Sequence, residues 1–205
     1  GGETNQYSEH QWFKQYFTEV TQPRQGHPYS HNANAMIRRS LWEEHPYGEN
    51  LTGLEDLAWS SWAMEAGHTI SYISEAEIIH VHDEKPSQVY NRYRREAIAM
   101  KQILPDSNFS LWNFFRFWTS TSISDLNQAR REKVLSQEWW SILWFRWMQY
   151  LGTYQGYRYS GKVDAQLHHQ FSYPPGILST KDPAERQIQP IEYQEKGADQ
   201  KEMEN

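Results

Sequence analysis

Gly67-His68-Thr69-Ile70-Ser71-Tyr72-Ile73-Ser74-Glu75-Ala76-Glu77-Ile78-Ile79-His80-Val81-His82 is the stretch on which the fold turns. Residues 69–73 and 77–81 are short and rich in β-branched residues and tyrosine, which predicts two strands with a turn at 74–76. Upstream, Thr52-Gly53-Leu54-Glu55 has capping-box spacing and opens a predicted helix carrying Leu57, Trp59, Trp62, Ala63 and Ala66 to a C-cap at Gly67. Before it, a helix is predicted from about Asn34, which would serve as its N-cap, with Met36, Ile37 and Leu41 on one side and Pro46 as its stop. Another is predicted over 8–17, N-capped by Ser8, with Trp12, Phe13, Tyr16 and Phe17 at helical spacing.

Downstream of Pro86 the helical period returns in Val89, Tyr90, Tyr93, Ala97, Ile98 and Met100, with Arg92, Arg94, Arg95 and Lys101 on the other side. Pro105 marks a boundary. Residues 109–118 and 126–151 read as two further helices, and 152–161, with repeated Gly and Tyr, as a loop or broken helix. The expected organisation is therefore residues 1–104 as one unit, 105–176 as an aromatic-rich helical extension, and 177–205 as a polar tail expected to be disordered.

A net charge of -6 and a pI near 5.8 argue against generic nucleic-acid binding, which needs a basic surface to displace counterions from phosphates. With no cysteine, a metal could be held only by His and carboxylate. The most apolar region, 139–151, is interrupted by Ser141, Arg146 and Gln149 and is shorter than the roughly 20 residues a spanning helix requires. A soluble or peripheral protein is expected. The chain starts Gly-Gly, which does not read as a natural translation start.

Taken in order, Asn32-Ala33-Asn34-Ala35-x-x-Arg38-Arg39, Gly53-x-Glu55-Asp56, Ala66-Gly67-x-x-Ile70-x-Tyr72 and His80-x-His82 resemble the acceptor half of a bacterial family 2 inverting glycosyltransferase. More loosely, so does Tyr150-Leu151-Gly152-Thr153-Tyr154-Gln155-Gly156-Tyr157-Arg158, similar to the close of a C-terminal helical extension. The resemblance implies an α/β chain: an incomplete GT-A fold (nucleotide-diphospho-sugar transferase), with short strands plus that extension. It also implies that the nucleotide-binding half is not in this chain, so that the polypeptide alone is expected to be inactive.

Inversion at an activated donor needs one carboxylate to take the proton from the acceptor hydroxyl, and the resemblance gives that role to Asp56, with Glu55 beside it. From the residues alone, both acids also suit the positive end of a helix. By the same resemblance Asn32, Asn34 and Arg38 lie near the donor and acceptor sugars, where amides suit hydroxyls and guanidinium suits phosphate. Asn34 as an N-cap and the arginines as a solvated face are the plainer readings. Arg92 and Arg95 could approach a donor diphosphate or anionic headgroups.

His80 and His82, two apart on a predicted strand, would share a face and could approach one divalent ion. The resemblance makes His80, with His82 as runner-up, a ligand of Mn²⁺ or Mg²⁺ expected only together with the nucleotide-sugar and an Asp-x-Asp motif. No Asp-x-Asp occurs in the sequence. Nor does Gln88-Val89-Tyr90-Asn91-Arg92 match the Gln-x-x-Arg-Trp of processive synthases.

Six of the ten tryptophans, at 112, 118, 139, 140, 144 and 147, lie in one third of the chain. Trp139, Trp140, Leu143, Trp144, Trp147 and Leu151 form a stripe suited to helix packing, a homodimer seam or peripheral contact with a membrane. The expected partners are thus a nucleotide-sugar donor and a glycan or lipid-linked acceptor of surface polysaccharide synthesis, in the cytoplasm or at the inner face of the cell membrane. The competing expectation is a non-catalytic helical module that binds a partner or membrane. A metal-dependent hydrolase using His80 and His82 is a third.

Overall fold

The computed structural model describes residues 5–164, 167 and 171. The chain divides into a compact unit Gly1–Ser172 and a second, Tyr173–Asn205, which lies outside the described residues together with the tail expected from 177. The first unit is built from helices α1 (Tyr7–Tyr16), α2 (Arg39–Glu44), α3 (Glu55–Glu65), α4 (Pro86–Ile103), α5 (Leu111–Arg131) and α6 (Leu135–Arg158), with a 3-10 turn at Asn32–Asn34.

The α/β expectation is overturned. Among the described residues there is no strand, and residues 69–73 and 77–81 carry no regular secondary structure apart from one isolated antiparallel bridge between Gln22 and Tyr72. The two residues exchange hydrogen bonds of 2.8 and 2.9 Å, and Gln25 N–H donates to the Ile70 carbonyl at 2.8 Å. β-branched runs become strands only when neighbours accept and donate along their whole length, and one bridge does not make a sheet. Ile79 is left 81% exposed. The described residues are helical and do not form a GT-A fold.

The core lies where α6 packs between α4 and α5. Val89, Ala97, Ile98 and Ala99 of α4, Phe114 and Ala129 of α5, and Ile142 and Phe145 of α6 are buried. Pro86 at the start of α4 costs no hydrogen bond there, and Gln88 Oε1 accepts from Lys85 N–H at 2.8 Å to close the first turn. Over 152–161, expected as a loop or broken helix, residues 152–158 are instead the last turns of α6, and the chain leaves the helix at Tyr159. A Cβ on Gly152 would collide with the Tyr90 carbonyl oxygen, and one on Gly156 with the Arg94 carbonyl oxygen. The glycines are there because two helix backbones meet.

The expected break over 119–125 is also absent. Thr119 donates its hydroxyl to the Phe115 carbonyl at 2.8 Å, Thr121 to Phe117 at 2.8 Å and Ser120 to Phe117 at 3.2 Å. Back-bonding satisfies the polar side chains within the helix. The real break falls at Lys133, whose φ of 63° is left-handed. Lys133 N–H donates to the Arg130 carbonyl (3.2 Å) and Val134 N–H to Ala129 (2.9 Å), a Schellman ending.

α1 is tied to the α5–α6 hairpin through a buried ion pair. Ser8, expected as an N-cap, donates its hydroxyl to Asp125 Oδ2 at 2.6 Å, and Gln6 takes the cap position. Arg146 Nε donates to the same oxygen at 2.8 Å, and its other nitrogens reach Gln149 Oε1 and the Ser8 carbonyl. The predicted helix from Asn34 shrinks to α2. Asn34 closes the 3-10 turn, and Met36 is fully exposed.

Candidate functional site

Glu55 and Asp56 occupy the first turn of α3, entered through Leu54 in the left-handed conformation (φ 58°). The expected capping box does not form: Thr52 donates its hydroxyl to the Arg95 carbonyl at 2.9 Å. Glu55 Oε1 instead accepts from the Asn32 side-chain amide at 3.0 Å, and Asp56 Oδ2 accepts from Asn32 backbone N–H at 3.0 Å. Asp56 Oδ1 takes the N–H of Leu57 at 2.8 Å. Tyr47 donates its hydroxyl to Asn32 Oδ1 at 2.8 Å, and Ser30, bonded to Ser60, donates to the Asp56 carbonyl. The loop carrying Asn32 is thereby clamped onto the start of α3.

His31, on the same loop, leads from Asp56 to a row of imidazoles. Its ring centroid is 5.0 Å from that of His80, and His80 is 4.3 Å from His82. Phe17, just past the end of α1, meets His31 edge-on, and Phe13 of α1 meets His80. Burial lowers the His31 pKa, and the Asp56 charge only partly opposes it. His80 is likewise held below the ordinary histidine value, by burial first and then by the neighbouring His82 and His31. Both rings are therefore neutral at pH 7, able to donate from one nitrogen and accept at the other. Burial, then Asp56 and Glu55, raises the Tyr47 pKa and keeps its hydroxyl a donor.

The far end of the row is an ion-pair network. His82 Nδ1 lies 2.5 Å from Glu9 Oε1, and Arg92 reaches Glu9 at 2.8 Å and Glu84 at 2.7 Å. Burial pushes the Glu9 carboxyl up, but the His82 hydrogen bond and the Arg92 charge outweigh it and leave the pKa below the ordinary carboxylate value. Ligand atoms of Glu9, His82 and Glu84 lie within 4.8 Å of one another. This set does not fit a divalent ion while Arg92 stays, because the guanidinium bridges both carboxylates and supplies the charge a metal would bring. His82, expected second, is the histidine that joins the carboxylates, and His80 stands one ring away. Arg92, expected near a phosphate, is committed to this network.

Of the other expected site residues, Asn34 donates its amide to the Ala76 carbonyl at 2.5 Å and pins the 32–34 turn to the segment leading to His80. Arg38 is exposed at the N-cap of α2, and Arg39 pairs with Glu43 at 2.8 Å. Arg95 stands behind the entry to α3, where a Cβ on Gly53 would lie 3.3 Å from its Nε. Sequence reasoning missed His31, Glu9 and Tyr47. His31 adjoins Asn32 and could have been read with it, but nothing local in the sequence marks Glu9 or Tyr47.

No family model, curated protein or solved structure matches this chain.

Proposed function

We propose that the surface where the 30–34 loop meets the start of α3 is the acceptor side of an inverting glycosyl-transfer site, with Asp56 as general base. The observation that carries the reading is the geometry of Asp56, whose two carboxylate oxygens are each fixed by a backbone N–H, from Asn32 and Leu57, beside the neutral His31. A carboxylate held in this way is oriented before the acceptor arrives, and orientation is a large part of what a positioned base contributes. His31, His80 and the Tyr47 hydroxyl supply the donors and acceptors that sugar hydroxyls require. The order of motifs in the sequence supports the same reading.

In this scheme the acceptor hydroxyl gives its proton to Asp56 as its oxygen forms the new bond to the anomeric carbon. The nucleoside diphosphate leaves with the electron pair of the broken bond. Nothing in the sequence has the Asp-x-Asp pattern for the donor diphosphate, so the donor contacts are assigned to no residue here. The test is donor-dependent sugar transfer by the protein expressed from its natural reading frame, against a panel of nucleoside-diphosphate sugars. Asp56→Asn is expected to lower the rate by roughly 10²–10⁴-fold with helix content unchanged.

One observation favours a second reading. Asp56 Oδ1 bonds to the N–H of its own neighbour Leu57, as a residue that merely stabilises a helix start does. In a non-catalytic helical module the same substitution leaves partner binding intact and costs about 1 kcal/mol of stability.

A further inference from the structure

The outer face of the α5–α6 hairpin is apolar, aromatic and basic, and the Asp56 site uses none of it. Trp112, Arg116, Thr119, Ile123 and Arg130 follow one another at intervals of four, three, four and seven residues, so they lie on one side of α5, and all are exposed. Trp112 is 73% exposed and Ile123 58%. Trp140 and Trp147 face outward from α6, Trp140 at 61%. Between the two helices the exposed Phe115 and Trp147 both stand edge-on to the buried Phe114, at 4.8 and 4.9 Å, and Trp147 meets Trp118 at 5.1 Å.

Charge decides what covers this face. The chain as a whole is acidic, at -6. The one acid of α5 is Asp125, which is buried and paired with Arg146, so the exposed charges of α5 are Arg116, Arg130 and Arg131; just beyond the helix Glu132 is paired with Lys14, and Lys133 follows in the turn. A second copy of the chain laid on the same face would bring arginines against arginines. A surface of negative charge over hydrocarbon satisfies both components at once, with arginines at the phosphates and indole rings at headgroup level. Among the described residues no helix is long and apolar enough to cross a membrane, so the hairpin would lie on it.

We infer that the outer face of α5 and α6 is a docking surface for an anionic lipid bilayer. The inference does not rest on the glycosyl-transfer reading. The test is cosedimentation of the full chain with phosphatidylglycerol-containing vesicles and with pure phosphatidylcholine vesicles. Binding is expected to the anionic vesicles and to be about tenfold or more weaker on the neutral ones and at high salt. Two paired variants, Arg116→Glu with Arg130→Glu and Trp112→Ser with Trp140→Ser, are each expected to weaken it by a similar factor. These four side chains are exposed, and circular dichroism checks that the helices persist. Any of three results overturns the proposal: no retention on anionic vesicles, equal retention on neutral ones, or a dimer that the tryptophan pair dissolves while the wild type ignores vesicles.

Discussion

Gly152 and Gly156 show how a residue can mislead when read along the chain and make sense across it. Glycine, tyrosine and glycine in succession suggest a loop, whereas in the fold each glycine is where a side chain would strike the backbone of α4. Gly152→Ala and Gly156→Ala are each expected to destabilise by about 1–3 kcal/mol despite alanine's better helix propensity, measured by chemical denaturation. An increase in stability for either would show that α4 and α6 do not approach so closely. Glu9 contributes to the pH dependence of stability. Its folded pKa lies below the ordinary carboxylate value of 4.5, so the stability it contributes is complete above that value and is lost as pH falls through the lower, folded one. Glu9→Gln, which leaves Arg92 short of a charge, should cost roughly 3–5 kcal/mol at pH 7 and flatten the acid limb of the stability curve. Residue types alone do not reveal this group, because Glu9 meets partners 73 and 83 positions away.

Among the elements, α1 and α4 were legible because an amphipathic period of 3.6 leaves a local trace, and α3 because its apolar residues run up to Gly67, as Pro86 opens α4. The Asn32–Asp56 contact was half legible: the motif order brought the residues to attention, but the hydrogen bonds depend on the left-handed turn at Leu54. Residues 69–81 were misread because β-branched composition records a preference for a pleated neighbour, and the described residues supply only the Gln22–Tyr72 bridge. The α5–α6 boundary was misplaced because a Thr-Ser-Thr-Ser run looks like a loop while a lysine in the left-handed conformation leaves no signal. Lys133→Gly is therefore expected to stabilise the hairpin by up to about 1 kcal/mol, read as a higher melting temperature. A lower one would place the helix break elsewhere.

For the whole molecule, the packing places two chemistries on different elements. Around α3 and the 30–34 loop stand the carboxylates and neutral imidazoles; the α5–α6 hairpin carries exposed indoles and guanidiniums. α1 joins them, with Phe13 and Phe17 against the histidines and Ser8 in the Asp125–Arg146 pair. Asp125→Ala strands a buried guanidinium and is expected to cost about 3–5 kcal/mol, lowering the melting temperature without altering any property of the isolated α3 turn. The measurement that tests the account most directly sets Asp56→Asn beside Glu55→Gln, comparing sugar-transfer rate and melting temperature on the same preparations. With Asp56 as base and Glu55 holding only the Asn32 side chain, Asp56→Asn should lose at least about 100-fold in rate at little cost in stability, and Glu55→Gln far less. Equal, small losses in rate for both would contradict the account and leave the pair as the structural start of α3.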